Sequence, residues 1–104
     1  MTDLEKDIYE WAVRIHNPTM AGQFAKLGEE YGEAVEAYME WLSPTFRGID
    51  DRNIQNVVSE LADMAIVLSN MASMLGCSLS EEMAKKHAFN KTRPDHQPVA
   101  GRTL

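Results

Sequence analysis

The chain has 104 residues, a formal net charge of −6 and a single cysteine. This length fits one domain, and the acidic balance argues against a nucleic-acid-binding protein. The polar N-terminus from Met1 to Asp7 is not typical of a signal peptide, and no uninterrupted apolar run approaches the roughly 20 residues of a bilayer span. We expect Cys77 to be a small, at least half-buried apolar group in a cytoplasmic protein without nucleic-acid or membrane partners.

The first predicted helix runs from Asp3 to about His16, where apolar residues recur at helical spacing. Asn17-Pro18 should end this helix, because the residue before a proline is disfavoured in the helical region, and Thr19 is a candidate cap for the next helix. We expect His16 at the surface near the helix end. Trp11 fits either a core anchor or a surface on which a base stacks.

Two long central helices are predicted to follow. An apolar stripe at 3-4 spacing predicts one from about Met20 to Leu42, with Ser43-Pro44 as its end. The other should run from about Arg52 or Asn53 to Leu75, with Gly76 as its stop signal. Because the segment from Leu61 to Leu75 is apolar on nearly all sides, and one small chain has few helices to cover it, we expect a second copy to pack there.

A shorter fourth helix is predicted with Ser80 as its N-cap and an end near Asn90 or Lys91. The tail, residues 95–104, lacks periodicity and is expected to be irregular. The sequence therefore predicts an all-α fold with one domain over residues 1–94. Two long central helices and shorter N- and C-terminal helices would complete their bundle by homodimerisation.

Two pairs of acids with helical i, i+3 spacing are the strongest functional signal. Glu30 and Glu33 lie in the second predicted helix, and Glu60 and Asp63 lie in the third. Four converging carboxylates repel one another, and a hard cation such as Mg²⁺ or Mn²⁺ would relieve the repulsion. Asp63 carries the only charge between Leu61 and Leu75, where burying it without a partner is costly. The alternative is a solvated acidic helix face.

A basic group follows near the fourth helix. Lys86 and Asn90 are four residues apart and share a helix face, so that together with Arg93 they are candidate phosphate contacts. The alternative is the ordinary placement of cations at a helix C-terminus.

These motifs resemble the MazG-type branch of the all-α nucleoside triphosphate pyrophosphatases. The resemblance rests on Lys26-Leu27-x-Glu29-Glu30-x-x-Glu33, on Glu60-x-x-Asp63 and on Lys86-x-x-x-Asn90-x-x-Arg93-Pro94. It implies Mg²⁺-dependent hydrolysis of a (deoxy)nucleoside triphosphate to the monophosphate and pyrophosphate, as in clearing a nucleotide pool, by a homodimer or a dimer of dimers. It also implies that Glu30, Glu33, Glu60 and Asp63 bind Mg²⁺, or Mn²⁺ as its substitute, and that Lys86, Asn90 and Arg93 bind phosphate.

In such a mechanism the metal would orient the triphosphate and lower the pKa of a coordinated water, which attacks the α-phosphorus. Glu29 and Glu33 are both candidates for the carboxylate that positions or deprotonates this water. No residue set fixes the base, but Trp11 and Trp41 are candidate base platforms. Tyr31 lies inside the first acid motif and is expected in the core.

Two other classes of protein remain open at this stage. A di-iron or di-manganese bundle usually has a Glu with a His three residues on, and no Glu of this chain has one. A helical dimer that acts as a regulatory or antidote partner without catalysis would fit the small size and the apolar third helix. Asp63 argues against that protein, because such a dimer has little need of a carboxylate in an apolar segment.

Overall fold

A computed structural model of the chain describes residues 1–42 and 54–96. Within these ranges there is no strand, and the helices are α1 (Asp3–Ile15), α2 (Met20–Leu42), α3 (Ile54–Met74), α4 (Leu79–Thr92) and a 3₁₀ turn (Pro94–His96). The predicted all-α fold with two long central helices is confirmed. The predicted Ser43-Pro44 end, the start at residues 52–53 and most of the tail lie outside the described residues.

The ends of α1 and the start of α2 follow from local hydrogen bonds. The Thr2 hydroxyl accepts from the Glu5 N–H, and the Glu5 carboxylate accepts from the Thr2 N–H, which makes a capping box. Asn17 ends α1 in the left-handed region at φ 46°, which asparagine tolerates better than most residues. Thr19 caps α2 as predicted, because its hydroxyl accepts from the Gly22 N–H at 3.1 Å.

The turn between α3 and α4 confirms one predicted signal and corrects another. Gly76 has φ 75°, and the chain reverses there with the Cys77 N–H donating to the Ala72 carbonyl at 2.9 Å. Ser78, not Ser80, is the N-cap of α4, since its backbone is extended and its hydroxyl accepts from the Glu81 N–H. Ser80 lies inside the first turn, and its hydroxyl donates to Glu5 instead.

α3 is the central element, because α2, α1 and α4 all pack against it. Its buried residues lie in the C-terminal half and centre on Val67, which is 2% exposed. Two expectations about single residues are wrong in this chain: Tyr31 is 61% exposed, and Cys77 is exposed. Both lie on surfaces that no helix among the described residues covers.

The remaining surface of α3 is unusually apolar. Leu61, Leu68 and Leu75 are 54%, 37% and 71% exposed. Within residues 1–42 and 54–96, α3 is the one helix with the length and composition to cross a membrane, at a mean hydropathy of 1.3. This is weak evidence of a membrane span, since the core helix of a soluble protein passes the same test.

Candidate metal centre

Three carboxylates converge where α2 packs against α3. Glu30 of α2 and Glu60 and Asp63 of α3 each offer one oxygen, and these oxygens all lie within 4.8 Å of one another. Glu60 and Asp63 share a helix face because they are three residues apart, and Glu30 approaches them from the facing helix. Glu30 and Glu60 are half-buried, whereas Asp63 is exposed. Asp63 is thus exposed in the single chain, on the apolar segment that a second copy is expected to cover.

The electrostatics of this acid cluster oppose ionisation. Burial is the largest cause that raises the pKa of Glu30, followed by the charges of Glu33, Asp63 and Glu60, while Lys26 acts in the opposite direction. Burial also leads the causes that raise the pKa of Glu60, followed by the charges of Glu33 and Asp63. Desolvation and like charges both favour the protonated form of a carboxylic acid. A bound cation would have the opposite effect on both groups.

Two oxygens of the acid cluster have no hydrogen-bond donor among the described residues. Glu30 Oε2 and Glu60 Oε2 are fully enclosed and unpartnered. A buried acceptor left in this condition costs free energy, about 1–3 kcal/mol in typical proteins. The cost disappears when a proton, a water or a metal ion supplies the missing interaction.

The other two acids predicted for catalysis differ from each other. Glu33 is exposed and is not one of the three clustered acids, but its charge raises the pKa of both Glu30 and Glu60. A side-chain interaction with Glu33 is a further, smaller cause of the raised pKa of Glu60. Glu29 is exposed and belongs to none of these interactions. The structure thus brings Glu33, but not Glu29, to the edge of the acid cluster.

A cavity of about 760 Å³ adjoins the acid cluster. Glu30 and Asp63 form part of its wall, and α1 and the turn into α2 form the opposite side. Trp11 and His16 lie in that side, with their rings edge-to-face at 5.4 Å between centroids. Trp11 is half-exposed, so it is not the core anchor that was one of its two interpretations.

The second predicted base platform lies elsewhere. Trp41 contacts Tyr38, with 6.1 Å between ring centroids, and does not line the cavity. It is eleven residues from Glu30 along α2, which corresponds to about 16 Å of helix.

The predicted phosphate contacts also lie away from this cavity, whose wall contains no residue of α4. Lys86 and Arg93 both lie over the Phe89 ring, at 5.1 Å and 5.9 Å from its centroid. Arg93 donates two hydrogen bonds to Asp95, and Asn90 is half-buried. The structure therefore brings Lys86 and Arg93 together at one aromatic ring, away from the acid cluster. The lysine in the cavity wall is Lys26.

One residue of the cavity wall was missed by the sequence analysis. Asn70 is 7% exposed, lines the cavity, and has an Oδ1 atom without a partner among the described residues. It follows Asp63 by seven residues, which places both on one face of α3. This spacing was a signal in the sequence, but without the cavity nothing distinguished Asn70 from other small polar residues of α3.

Comparisons of this chain with protein-family models, with curated proteins and with solved structures gave no match.

Proposed function

We propose that the protein is a Mg²⁺-dependent pyrophosphohydrolase that converts a (deoxy)nucleoside triphosphate to the monophosphate and pyrophosphate. The observation that carries this proposal is the convergence of Glu30, Glu60 and Asp63 within 4.8 Å beside a cavity with an aromatic side. The spacing of these acids and the resemblance of their motifs to MazG-type enzymes support the same reaction.

The donor set fits a hard divalent cation. All three groups are carboxylates, and oxygen ligands are those that Mg²⁺ and Mn²⁺ prefer. Two enclosed oxygens lack any other partner among the described residues, and burial together with neighbouring negative charges raises the pKa values of Glu30 and Glu60. When bound, Mg²⁺ supplies neutralisation of the triphosphate charge and lowers the pKa of a coordinated water.

The remaining steps belong to the chain's own side chains. Glu33, at the edge of the acid cluster, accepts the proton of the attacking water. The water oxygen bonds to the α-phosphorus, the bond to the bridging oxygen breaks, and pyrophosphate leaves. Lys26 is the cation in the cavity wall, where it can contact phosphate oxygens that the metal does not bind. Trp11 provides an apolar face for the nucleoside.

The test is pyrophosphate release from the eight common ribo- and deoxyribonucleoside triphosphates, with and without Mg²⁺. We expect metal-dependent release with the monophosphate as co-product. Asp63→Asn and Glu33→Gln should each lower kcat/KM by about 100-fold or more, the scale for loss of an electrostatic group at a reacting centre. Circular dichroism should show an intact fold. Full activity of both variants would overturn the assignment.

Two exposed acids serve as comparisons in that experiment. Glu29→Gln distinguishes between Glu29 and Glu33 as the general base that accepts the proton of the water. We expect this variant to keep most of the activity, because Glu29 does not interact with the acid cluster. Glu10→Gln removes an exposed charge on α1 outside the cavity wall and controls for net charge. If Glu29→Gln abolished turnover and Glu33→Gln did not, the water would be assigned to Glu29.

We further propose that the enzyme is a homodimer or a dimer of dimers. Leu61, Leu68 and Leu75 of α3 are 54%, 37% and 71% exposed, and no helix among the described residues covers them. Burying such apolar side chains against a second copy removes them from water and favours association. Sedimentation equilibrium should give twice or four times the mass of one chain. A single-chain mass at micromolar concentration would contradict this proposal.

The exposed apolar surface also favours a second candidate function, a helical dimer that binds a partner protein without catalysis. The two functions differ in what the acid cluster does. Added stability from Mg²⁺ and a nucleoside triphosphate together favours the enzyme. Indifference of the unfolding temperature to both favours the partner protein.

A further inference from the structure

We propose that Asn70 is the residue that recognises the nucleobase, by hydrogen bonds from its side-chain amide to the base edge. This inference rests on the proposed function and identifies a specificity residue for it. Asn70 comes from α3, the helix that also supplies Glu60 and Asp63.

The first argument is an unsatisfied polar group in a position where one is costly. Asn70 is 7% exposed, and its Oδ1 accepts no hydrogen bond from the described residues. Buried side-chain polar atoms nearly always have a partner, and an exception calls for an explanation such as a missing ligand. A leucine of similar size would pack at this position without that cost. The group is explained if its partner arrives with the substrate.

The second argument is the position of the side chain. Asn70 lines the same cavity as Trp11 and Asp63. It lies two helical turns beyond Asp63, about 10 Å along the axis of α3. A nucleoside triphosphate bound with its phosphates at the acid cluster must extend its base away from the metal into the cavity. The base then lies between the Trp11 ring and the Asn70 amide.

The third argument is chemical complementarity. A side-chain amide offers one acceptor and two donors, and the edge of a nucleobase presents the same mixture of groups. The acids in the wall, Asp7, Glu30 and Asp63, are acceptors when ionised, and Lys26 is a donor without an acceptor. Among the amide side chains of the wall, Asn70 is the one that is buried and has an oxygen without a partner among the described residues. Asn70 therefore provides the donor and acceptor groups that base recognition requires.

The experiment removes the Asn70 amide and the nucleobase of the substrate separately. The wild type and Asn70→Ala are compared, with Mg²⁺, on a nucleoside triphosphate that the wild type hydrolyses and on the matching ribose or deoxyribose 5-triphosphate without a base. We expect Asn70→Ala to lower kcat/KM for the nucleoside triphosphate by about tenfold, the effect of one to two hydrogen bonds. The compound without a base should be hydrolysed equally well by both proteins.

A second variant changes the recognition rather than removing it. Asn70→Asp has an acceptor-only side chain when ionised, so it should favour cytosine, with its exocyclic amino group, over uracil, with a carbonyl at that place. We expect the ratio of kcat/KM for the cytidine and uridine triphosphates to rise by about tenfold. An unchanged ratio would overturn the assignment.

Ser69→Ala is the matched control. Ser69 is the neighbouring residue of α3, is 6% exposed and also has an unpartnered oxygen, but it does not line the cavity. Its substitution should change neither base preference nor the ratio between substrates with and without a base. If Asn70→Ala lowered kcat/KM equally for both kinds of substrate, or lowered the unfolding temperature, Asn70 would be a packing residue and the proposal would be wrong.

The outcomes separate this inference from the proposed function. Hydrolysis of triphosphates with a base preference that both Asn70 variants retain overturns the role of Asn70 and leaves the pyrophosphohydrolase standing. Absence of pyrophosphate release by the wild type on every triphosphate overturns the proposed function, and the role of Asn70 with it.

Discussion

The protein contains two carboxylate sites in opposite electrostatic conditions, the single buried Glu5 and the acid cluster. Glu5, near the start of α1, is 7% exposed and accepts hydrogen bonds from the hydroxyls of Ser78 and Ser80 and from the Thr2 N–H. Its pKa is lowered to about 2, with the Ser80 hydrogen bond as the largest cause. In the acid cluster the pKa values of Glu30 and Glu60 are raised.

The opposite pKa shifts of Glu5 and of the acid cluster indicate different roles for the two sites. The oxygens of Glu5 are satisfied by donors from the chain itself, so this network joins the beginning of α1 to the beginning of α4 and needs nothing from outside. The enclosed oxygens of Glu30 and Glu60 have no such donors within residues 1–42 and 54–96. Perturbed ionisation that the chain does not compensate is typical of functional sites, whereas compensated ionisation is typical of structural contacts.

The largest expected contrast is the response to Mg²⁺. A ligand that binds only the folded state at 100 times its Kd stabilises that state by about 2.7 kcal/mol. We expect an effect of this size on urea unfolding of the wild type. Glu60→Gln should abolish it, because the variant loses a clustered oxygen, whereas Glu5→Gln should lower stability in the absence of metal and keep the full Mg²⁺ increment. An increment that survives Glu60→Gln would place the metal elsewhere.

A smaller contrast lies within the Glu5 network. Ser78 and Ser80 both donate to Glu5, but only Ser78 also caps α4 by accepting from the Glu81 N–H. Ser78→Ala should therefore lower the free energy of unfolding by about 1 kcal/mol or more, the typical cost of losing an N-cap. Ser80→Ala should cost less, since Ser80 is more exposed. Urea unfolding of the two variants measures the difference, and the reverse order would show that Ser80 is the cap.

The sequence predicted the helices well because their signals are local. Thr19 begins α2 and Gly76 ends α3 through hydrogen bonds within a few residues. Such local signals can be recognised in any sequence. The capping box Thr2-Asp3-Leu4-Glu5 was readable in the same way. The hydrogen bond from Ser78 to the Glu5 carboxylate could not be predicted in this way. The two residues are 73 positions apart, and only the packing of α1 and α3 brings them together.

The candidate site was predictable in part for the same reason. The i, i+3 spacing places Glu60 and Asp63 on one face of α3, and it places Glu30 and Glu33 on one face of α2. The place of Asn70 in the cavity wall depends on where α1 lies across α3, which helical periodicity does not specify. Lys86 lies in α4 and Arg93 is its C-cap, so the sequence places them close together. How far α4 lies from the cavity depends on how the helices pack, which the sequence pattern does not show. The exposure of Tyr31 likewise depends on which elements are present to cover it.

The last contrast is the pH dependence of stability without metal. Glu5 has a folded pKa of about 2, below its ordinary value of 4.5, so its contribution is present above pH 4.5 and is lost as the pH falls toward 2. The pKa values of Glu30 and Glu60 are raised above 4.5. For them the folded state binds more protons than the unfolded chain, so stability falls as the pH rises above 4.5.

Urea unfolding in a chelator should thus give opposite slopes on the two sides of pH 4.5. Glu5→Gln should flatten the acid side, and Glu60→Gln should flatten the other side, because each variant removes the titrating group responsible. Adding Mg²⁺ should reverse the slope above pH 4.5, since the metal binds the ionised carboxylates and competes with protons for them. A slope above pH 4.5 that neither Mg²⁺ nor Glu60→Gln alters would mean that the three carboxylates do not act as one site.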